Sequence, residues 1–376
     1  MVSDLENKVG LKAIQMLCYA LNGKKLDPDF FSDSDSEKVL NLCKRHKVSA
    51  LASLALSDPD EEWTNARMES IRRTALFDKE RDEICRFFEE QGIWYCPLKG
   101  VILKDLYPQY GVREMGDNDI LVDDEKMMEI RSFMIDRGYT FKDYGYGPHD
   151  PYYKKPIYNF EIHRFLFNES SENNFNEYYR NVKNKLVNDR NSGYKYHFSD
   201  EDFYIYYIVH NHKHLSAGGS GLRTLTDIYV FLSKHKDMDR KYIESQLEIL
   251  DLLKEETMLK NLSLKLFDEE MSELTTEEKE LLNYILSSGV YGTVKNNAEN
   301  KLNKLKEQGS HYKARYIYQR MFLEERSLKH RYPFFYKHAW ARPFLLPIRG
   351  FRILFTDRKR FFNELKTVFE EGKKDD

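Results

Sequence analysis

The stretch REMGDNDILV (residues 113–122) places two aspartates one residue apart at the start of an apolar strand. Side chains alternate between the two faces of a β-strand, so Asp117 and Asp119 point to one face, while Ile120 and Val122 point to the other. Two like charges held side by side repel each other, and a bound cation removes that repulsion. Because hard carboxylate oxygens favour Mg²⁺ or Mn²⁺, the pattern predicts an acidic, metal-binding face behind an apolar core.

A third carboxylate lies farther along the chain, in NFEIH (residues 159–163). Glu161 stands between two apolar residues and shares its predicted strand face with His163. If the two strands are neighbours in one sheet, Glu161 joins Asp117 and Asp119 on the same face. The alternative is that the two aspartates belong to a solvated turn at a strand end.

The segments around these carboxylates predict an alternating order of strands and helices. Gly138 marks the end of the second predicted helix (124–138), because glycine is favoured at the residue just after a helix C-terminus. We predict a loop for YGYGPHDPYY (144–153), because it is rich in glycine, proline and tyrosine. The remaining predictions, in chain order, are a strand in GIWYCPLKG (92–100), a helix in VILKDLY (101–107), a strand in NDILV (118–122), a helix in DEKMMEIRSFMIDRG (124–138) and a strand in IYNFEIHRFLF (157–167).

The predicted fold class is α+β, with a small mixed sheet flanked by helical N-terminal and C-terminal domains. Apolar residues recur at helical spacing before and after the central segment. The predicted domains are an N-terminal helical region (1–92), an α/β core (93–200), a helical domain that closes the cleft (201–300) and a basic, aromatic helical region (301–376).

Composition indicates a folded protein. Apolar residues make up 41% of the chain, and the formal net charge is −3. No leader peptide or membrane span is predicted, so we expect a cytoplasmic protein. Reduced thiols are expected, because no disulfide or zinc spacing is present among Cys18, Cys43, Cys85 and Cys96.

Charge is concentrated near the C-terminus. Residues 312–360 contain thirteen lysine or arginine residues and three aspartate or glutamate residues, interleaved with aromatic residues. We favour a basic face on a packed helical subdomain. A membrane surface or an acidic partner would also suit this mixture of side chains.

Several short motifs together resemble one superfamily. In order they are LKG (98–100), YP (107–108), Arg113, GDNDILV (116–122) and EIH (161–163). This order resembles the nucleotidyltransferases of the DNA polymerase β superfamily, and more closely a bacterial family of uncharacterised nucleotidyltransferases within it. The resemblance continues weakly into HNHKHL (210–215) and GLRTLTDIYVFL (221–232).

The resemblance implies a two-metal nucleotidyltransferase with Mg²⁺ or Mn²⁺ as cofactor and a nucleoside triphosphate as substrate. It implies that Asp117, Asp119 and Glu161 are catalytic residues and metal ligands. It further implies nucleotide contacts from Lys99, Gly100, Arg113, His163, Lys213 and Arg223.

Some of these residues have alternative interpretations. Arg113 would also suit a salt bridge to one of the two aspartates, and Arg223 an intrahelical ion pair with Asp227. A histidine beside a metal site, such as His163, often orients a ligand rather than taking part. His210 and His214 have the spacing of a helical zinc pair, although a structural or substrate-facing role is favoured.

The sequence departs from the superfamily pattern at two positions. The usual Gly-Ser turn is replaced by Lys99, Gly100 and Val101, so Lys99 is expected to supply the charge that the hydroxyl does not. Asn118 replaces the usual hydrophobic residue between the aspartates and is expected to leave this strand end more exposed.

The leading functional hypothesis is transfer of a nucleoside monophosphate, or a related phosphate-linked group, to a small-molecule, protein or peptide acceptor. One alternative is a non-catalytic nucleotide-binding or partner-binding module. Another is a nucleic-acid end modifier that uses the basic C-terminal region.

For a carboxylate cluster dominated by repulsion, Asp119→Asn is expected to leave the stability of the metal-free protein equal or higher.

Overall fold

The computed structural model describes residues 4–31, 35–141, 144–168, 174–268, 272–322 and 325–356, together with Arg358. These residues form two compact units. The first is drawn from Met1–His212 and Gly221–Val290, and the second from Lys213–Ser220 and Tyr291–Asp376. The predicted α+β class is confirmed, while the predicted division into four domains stays a prediction.

A mixed sheet of five strands lies in the first unit. Its strands are β1 (Tyr95–Pro97), β2 (Asn118–Val122), β3 (Thr140–Phe141), β4 (His149–Lys154) and β5 (Tyr158–His163). Their order across the sheet is β1-β2-β5-β4-β3, with β2 and β5 parallel and the other neighbours antiparallel. A separate hairpin pairs β6 (Leu186–Asn188) with β7 (Tyr196–Phe198).

Helices account for most of the rest of the described chain. Before β2 the structure has α1 (Asp4–Leu21), α2 (Asp35–His46), α3 (Ser49–Ala52), α4 (Glu61–Glu90) and α5 (Gly100–Leu103). Between β2 and α8 it has α6 (Met127–Asp136) and α7 (Phe175–Tyr178), and then α8 (Asp200–Ser216), α9 (Leu222–Lys234), α10 (Arg240–Ile249), α11 (Leu253–Phe267) and α12 (Thr276–Ser288). The chain continues with α13 (Val294–Glu307), α14 (Tyr312–Met321), α15 (Glu325–Arg331), α16 (Pro333–Lys337) and α17 (Leu345–Thr356).

One face of the sheet is the apolar core of the first unit. Alternate residues of β2 and β5 point to this face and are fully buried: Ile120, Val122, Phe160 and Ile162. They pack with residues of α4 and α6, among them Phe88 and Ile130. The predicted alternation of apolar and acidic faces on these strands is therefore correct, and the core fixes which face the acidic residues occupy.

Local signals explain where two of the supporting helices begin and end. Asp60 precedes α4, and its side chain accepts a hydrogen bond from the backbone N–H of Trp63 at 3.0 Å. Gly138 has a φ of +82° just beyond α6, and its N–H donates to the carbonyl of Ile135. This is the C-terminal glycine predicted from the sequence, because a left-handed residue is least costly there when it has no Cβ.

Two expectations about this sheet are wrong. The glycine- and proline-rich segment after residue 143 contains strand β4, which pairs with β5 along its whole length. Asn118 is fully buried rather than exposed, and its Oδ1 accepts a hydrogen bond from Arg81 at 3.2 Å. Long-range pairing with β5 and α4 overrides the local turn propensity and polarity in both cases.

The second unit contains the described part of the basic region. A small apolar cluster forms where α13 and α14 meet, around Leu302 and Tyr316. Many aromatic side chains that follow are exposed, including Phe334, Trp340 and Phe351. Within the described residues no helix is long and apolar enough to cross a membrane. The three interpretations of the basic region stay predictions.

A buried histidine joins three helices of the first unit. His46 ends α2; its Nδ1 accepts a hydrogen bond from the backbone N–H of Leu222 at 3.0 Å, and its Nε2 donates to the carbonyl of Leu286 at 3.2 Å. Both contacts require the neutral ring. Burial, followed by the charge of Arg45, lowers the pKa of His46 to about 4.

We therefore predict a contribution of His46 to stability that depends on pH. The folded-state pKa lies below the unfolded value of about 6.5, so the unfolded chain takes up the proton first. The contribution is complete above about pH 6.5 and is lost as the pH falls toward 4, with a span of about 3 kcal/mol. Urea unfolding of wild type and His46→Gln should show a stability difference that shrinks across this window. A constant difference would contradict the prediction.

Candidate active site

The parallel pairing of β2 with β5 brings two of the predicted catalytic carboxylates together. Asp119 lies directly opposite Glu161 in the register of the two strands. Asp117 precedes β2 by one residue, and its pKa is raised by burial and then by the charge of Asp119. The three carboxylates thus belong to one electrostatic cluster, and the interpretation of the DxD as an isolated solvated turn is wrong.

Asp119 has two close cationic or polar partners. Its Oδ1 is 2.7 Å from Nζ of Lys99 and 2.8 Å from Nε2 of His163. Burial by itself would raise the pKa of Asp119, but Lys99 and His163 outweigh burial and hold this pKa well below its usual range. Asp119 is therefore a stable carboxylate in the metal-free protein.

Glu161 behaves differently from Asp119. Burial, followed by the charges of Asp119 and Asp117, raises the pKa of Glu161 to about 8. The neighbouring charges thus favour the protonated form of Glu161, and a bound cation would oppose this effect. A cluster in which one carboxyl is held ionised and another is held protonated is typical of a functional site rather than of a packing contact.

The turn after β1 positions Lys99 at a cost in backbone energy. Lys99 has φ +48° and ψ −115°, a conformation that L residues rarely adopt. Next to it, a Cβ on Gly100 would lie 2.5 Å from Nη1 of Arg113, so a larger residue would displace this guanidinium. Strain of this kind persists where surrounding contacts hold it, here the ion pair with Asp119.

Arg113 is held by a carboxylate that sequence reasoning did not assign to it. Its Nε and Nη2 contact the two carboxylate oxygens of Asp227 at 2.7 and 2.8 Å. Tyr107 and Tyr207 donate further hydrogen bonds to the same carboxylate, at 2.7 and 2.8 Å. The alternative pairings of Arg113 with Asp117 or Asp119, and of Asp227 with Arg223, are thus replaced by a buried fork. Nη1 of Arg113 faces Gly100 and remains the nitrogen on which the predicted phosphate contact would depend.

The two residues predicted from the helical segment have different placements. Arg223 donates to the backbone carbonyl of Glu114 at 3.1 Å, and its charge lowers the pKa of Asp117, so it lies within the electrostatic reach of the site. Lys213 belongs to the second unit. Its predicted nucleotide contact stays a prediction.

Sequence reasoning missed His149. This residue begins β4 and lies opposite His163 in the antiparallel pairing with β5. Its Nε2 is 3.4 Å from a carboxylate oxygen of Glu161. One ligand atom from each of His149, Glu161 and His163 lies within 4.8 Å of the others, the one group of this kind among the described residues. The loop-like composition around His149 hid the strand that carries it.

The fold and this cluster define a class of protein: an α+β protein whose small mixed sheet presents carboxylates on one face next to a lysine-glycine turn. Residues 32–267 match the family of uncharacterised nucleotidyltransferases. The chain belongs to this family, and the activity supported at this level is transfer of a nucleotidyl group. No curated protein and no solved structure matches the chain.

The ion pair between Asp119 and Lys99 reverses the expectation that Asp119→Asn leaves stability equal or higher. Asp119→Asn would leave the buried ammonium of Lys99 without its counter-charge, so we predict a loss of about 3 kcal/mol in the metal-free protein. Glu161→Gln should leave stability equal or higher, because burial and neighbouring charges disfavour the ionised form of Glu161. Thermal unfolding in EDTA measures both changes. Equal effects of the two substitutions would show that Lys99 does not stabilise Asp119.

The Arg113–Asp227 fork yields a second stability prediction. Asp227→Asn removes the charge on which Arg113 and two tyrosines converge, and we expect a loss of about 3–5 kcal/mol. The matched control is Glu129→Gln, which breaks the exposed pair with Lys126 and should cost less than about 1 kcal/mol. Denaturant unfolding compares the two variants. A loss at Asp227 no larger than the control would refute the structural role of the fork.

Proposed function

We propose that the protein is a metal-dependent nucleotidyltransferase that moves a nucleoside monophosphate from a nucleoside triphosphate to a hydroxyl group of an acceptor. The acceptor class is a small molecule, a protein or a peptide. Pyrophosphate is the second product. The observation that carries this proposal is the parallel β2–β5 register, which sets Asp119 opposite Glu161, where the charge of Asp117 also acts.

The chemistry of the predicted donors suits a divalent cation, although the ligand atoms that converge within 4.8 Å among the described residues are those of His149, Glu161 and His163. Asp117, Asp119 and Glu161 offer carboxylate oxygens, which suit Mg²⁺ or Mn²⁺. His149 and His163 add ring nitrogens close to Glu161, which makes the set more favourable to Mn²⁺ than an all-oxygen site would be. When bound by these residues, two such ions would offset the charge that builds up on the attacking and leaving oxygens.

The residues of the chain have definable tasks in this transfer. The acceptor oxygen forms a bond to the α-phosphorus, and the bond from that phosphorus to the α–β bridging oxygen breaks. Pyrophosphate leaves with the electron pair, and the hydroxyl proton passes to the carboxylate of Glu161 and then to solvent. Lys99, the Gly100 N–H and Nη1 of Arg113 lie together at the turn after β1 and would bind the β- and γ-phosphates.

One observation favours the non-catalytic alternative. The ammonium of Lys99 lies 2.7 Å from Asp119, where it already neutralises a carboxylate that would otherwise need a cation. A binding module would keep this ion pair, whereas an enzyme must exchange it for metal when the nucleotide arrives. In the enzyme, Lys99 would move from Asp119 to the phosphates.

The test follows binding and transfer with each of four α-labelled nucleoside triphosphates. With Mn²⁺ or Mg²⁺ and an extract of small metabolites, peptides and proteins as acceptor mixture, we expect pyrophosphate release and acceptors heavier by one nucleoside monophosphate. Mn²⁺ should act at lower concentration than Mg²⁺. Asp119→Asn should reduce transfer by about 100-fold or more.

The control is Asp237→Asn, the same chemical change at an exposed aspartate. It should leave transfer unchanged. Metal-dependent nucleotide binding without any labelled product would support the binding module. Absence of metal-dependent nucleotide binding would refute the proposed function altogether.

A further inference from the structure

An open cleft of about 780 Å³ lies beside the carboxylate cluster in the first unit. Its volume falls in the range of small-molecule sites. The wall is built mainly from the end of β4, the start of β5 and the turn that joins them, and helix α4 contributes Arg73. Three cationic side chains and one aromatic side chain carry the argument: Arg73, Lys154, Lys155 and Tyr153.

The cleft is continuous with the candidate active site. Gly116, which lines it, directly precedes Asp117. Tyr153 lies opposite Asn159, two residues before Glu161 on the same face of β5. Burial, and then the charges of Glu161 and Asp117, raise the pKa of Tyr153, so its ring lies within the field of both carboxylates. A molecule at the Gly116 and Tyr153 end of the cleft therefore lies next to the carboxylate cluster.

Positive charge dominates the lining. Lys154 shares the carboxylate of Glu80 with Arg137, so its charge is largely offset. Arg73 and Lys155 have no carboxylate within 4.0 Å in the part of the chain that the structure describes, and no acidic side chain lines the cleft there. Two uncompensated cations beside aromatic rings suit a dianion attached to an apolar or aromatic body.

The order of the strands places Arg73 and Lys155 on the side of the site where the acceptor, rather than the nucleotide, would bind. The Lys99–Gly100 turn follows β1, on one side of β2, whereas the cleft lies toward β4, on the other side. In-line displacement requires the attacking and leaving oxygens on opposite sides of the phosphorus. With pyrophosphate held at the β1 turn, the acceptor approaches from the β4 side.

We propose that this cleft binds an acceptor that carries a phosphate group, with the phosphate between Arg73 and Lys155 and the body against Tyr153. The proposal rests on the proposed function, because it assigns the acceptor side of the same site. It narrows the acceptor to a phosphorylated small molecule with a free hydroxyl.

Phenyl phosphate serves as the probe, because it joins a dianion to one ring. We expect saturable binding to the wild-type chain in EDTA by calorimetry at low ionic strength, and no binding of the neutral benzyl alcohol. The double variant Arg73→Gln/Lys155→Gln should weaken binding by about tenfold or more. The matched control Lys236→Gln, an exposed lysine outside the lining, should leave binding unchanged.

A second titration in saturating Mn²⁺–ATP separates the two sides of the site. An unchanged affinity for phenyl phosphate supports an acceptor site. Competition would overturn the assignment, because it would place the nucleotide in the cleft. Unaltered binding by the double variant, with unchanged circular dichroism, would also overturn it. Failure of Mn²⁺–ATP to bind refutes the proposed function separately and leaves the phenyl phosphate titration intact.

Discussion

The contact on which the site depends is the parallel pairing of β2 with β5. This register sets Asp119 opposite Glu161 on one face and Ile120 opposite Ile162 on the other. Because side chains alternate, a slip by one residue would exchange an apolar core position for a buried charge on each strand. The hydrophobic contacts of α4 and α6 with the back of the sheet therefore hold the carboxylates in place. The stability of the core and the placement of the carboxylates therefore depend on the same β2–β5 register.

Charge compensation is the second requirement of this arrangement. Three carboxylates in a mostly buried cluster would repel one another. Cationic side chains from separate elements offset this repulsion. Lys99 comes from the turn after β1, and Arg223 from α9. The strained backbone of Lys99 accompanies this ion pair, since the same residue that adopts the unfavourable φ also contacts Asp119 at 2.7 Å. The charge of Arg113 also acts on Asp117, and Asp227 fixes its guanidinium against Gly100.

Sequence reasoning succeeded where the signal was local. Alternation in NDILV and in NFEIH predicted both strands, their apolar faces and the shared face of Asp119 and Glu161. It failed for Asp227 and for His149. The partner of Arg113 lies 114 residues away in the chain, a distance at which no spacing rule operates. His149 lies in a segment whose glycines and prolines indicate a loop, and only pairing with β5 makes it a strand.

Strand β4 connects the carboxylate cluster with the proposed acceptor cleft. At its start, His149 contacts Glu161, and near its end, Tyr153 lines the cleft. The core residue Tyr152 lies between them and points to the opposite face, where it is fully buried. Substitutions at Tyr153 or at Lys155 beyond the strand thus alter the cleft without touching the packed face or the β2–β5 register. The proposed acceptor cleft and the carboxylate cluster thus depend on different residues of the same strand pair, so a change in the lining of the cleft need not displace the carboxylates.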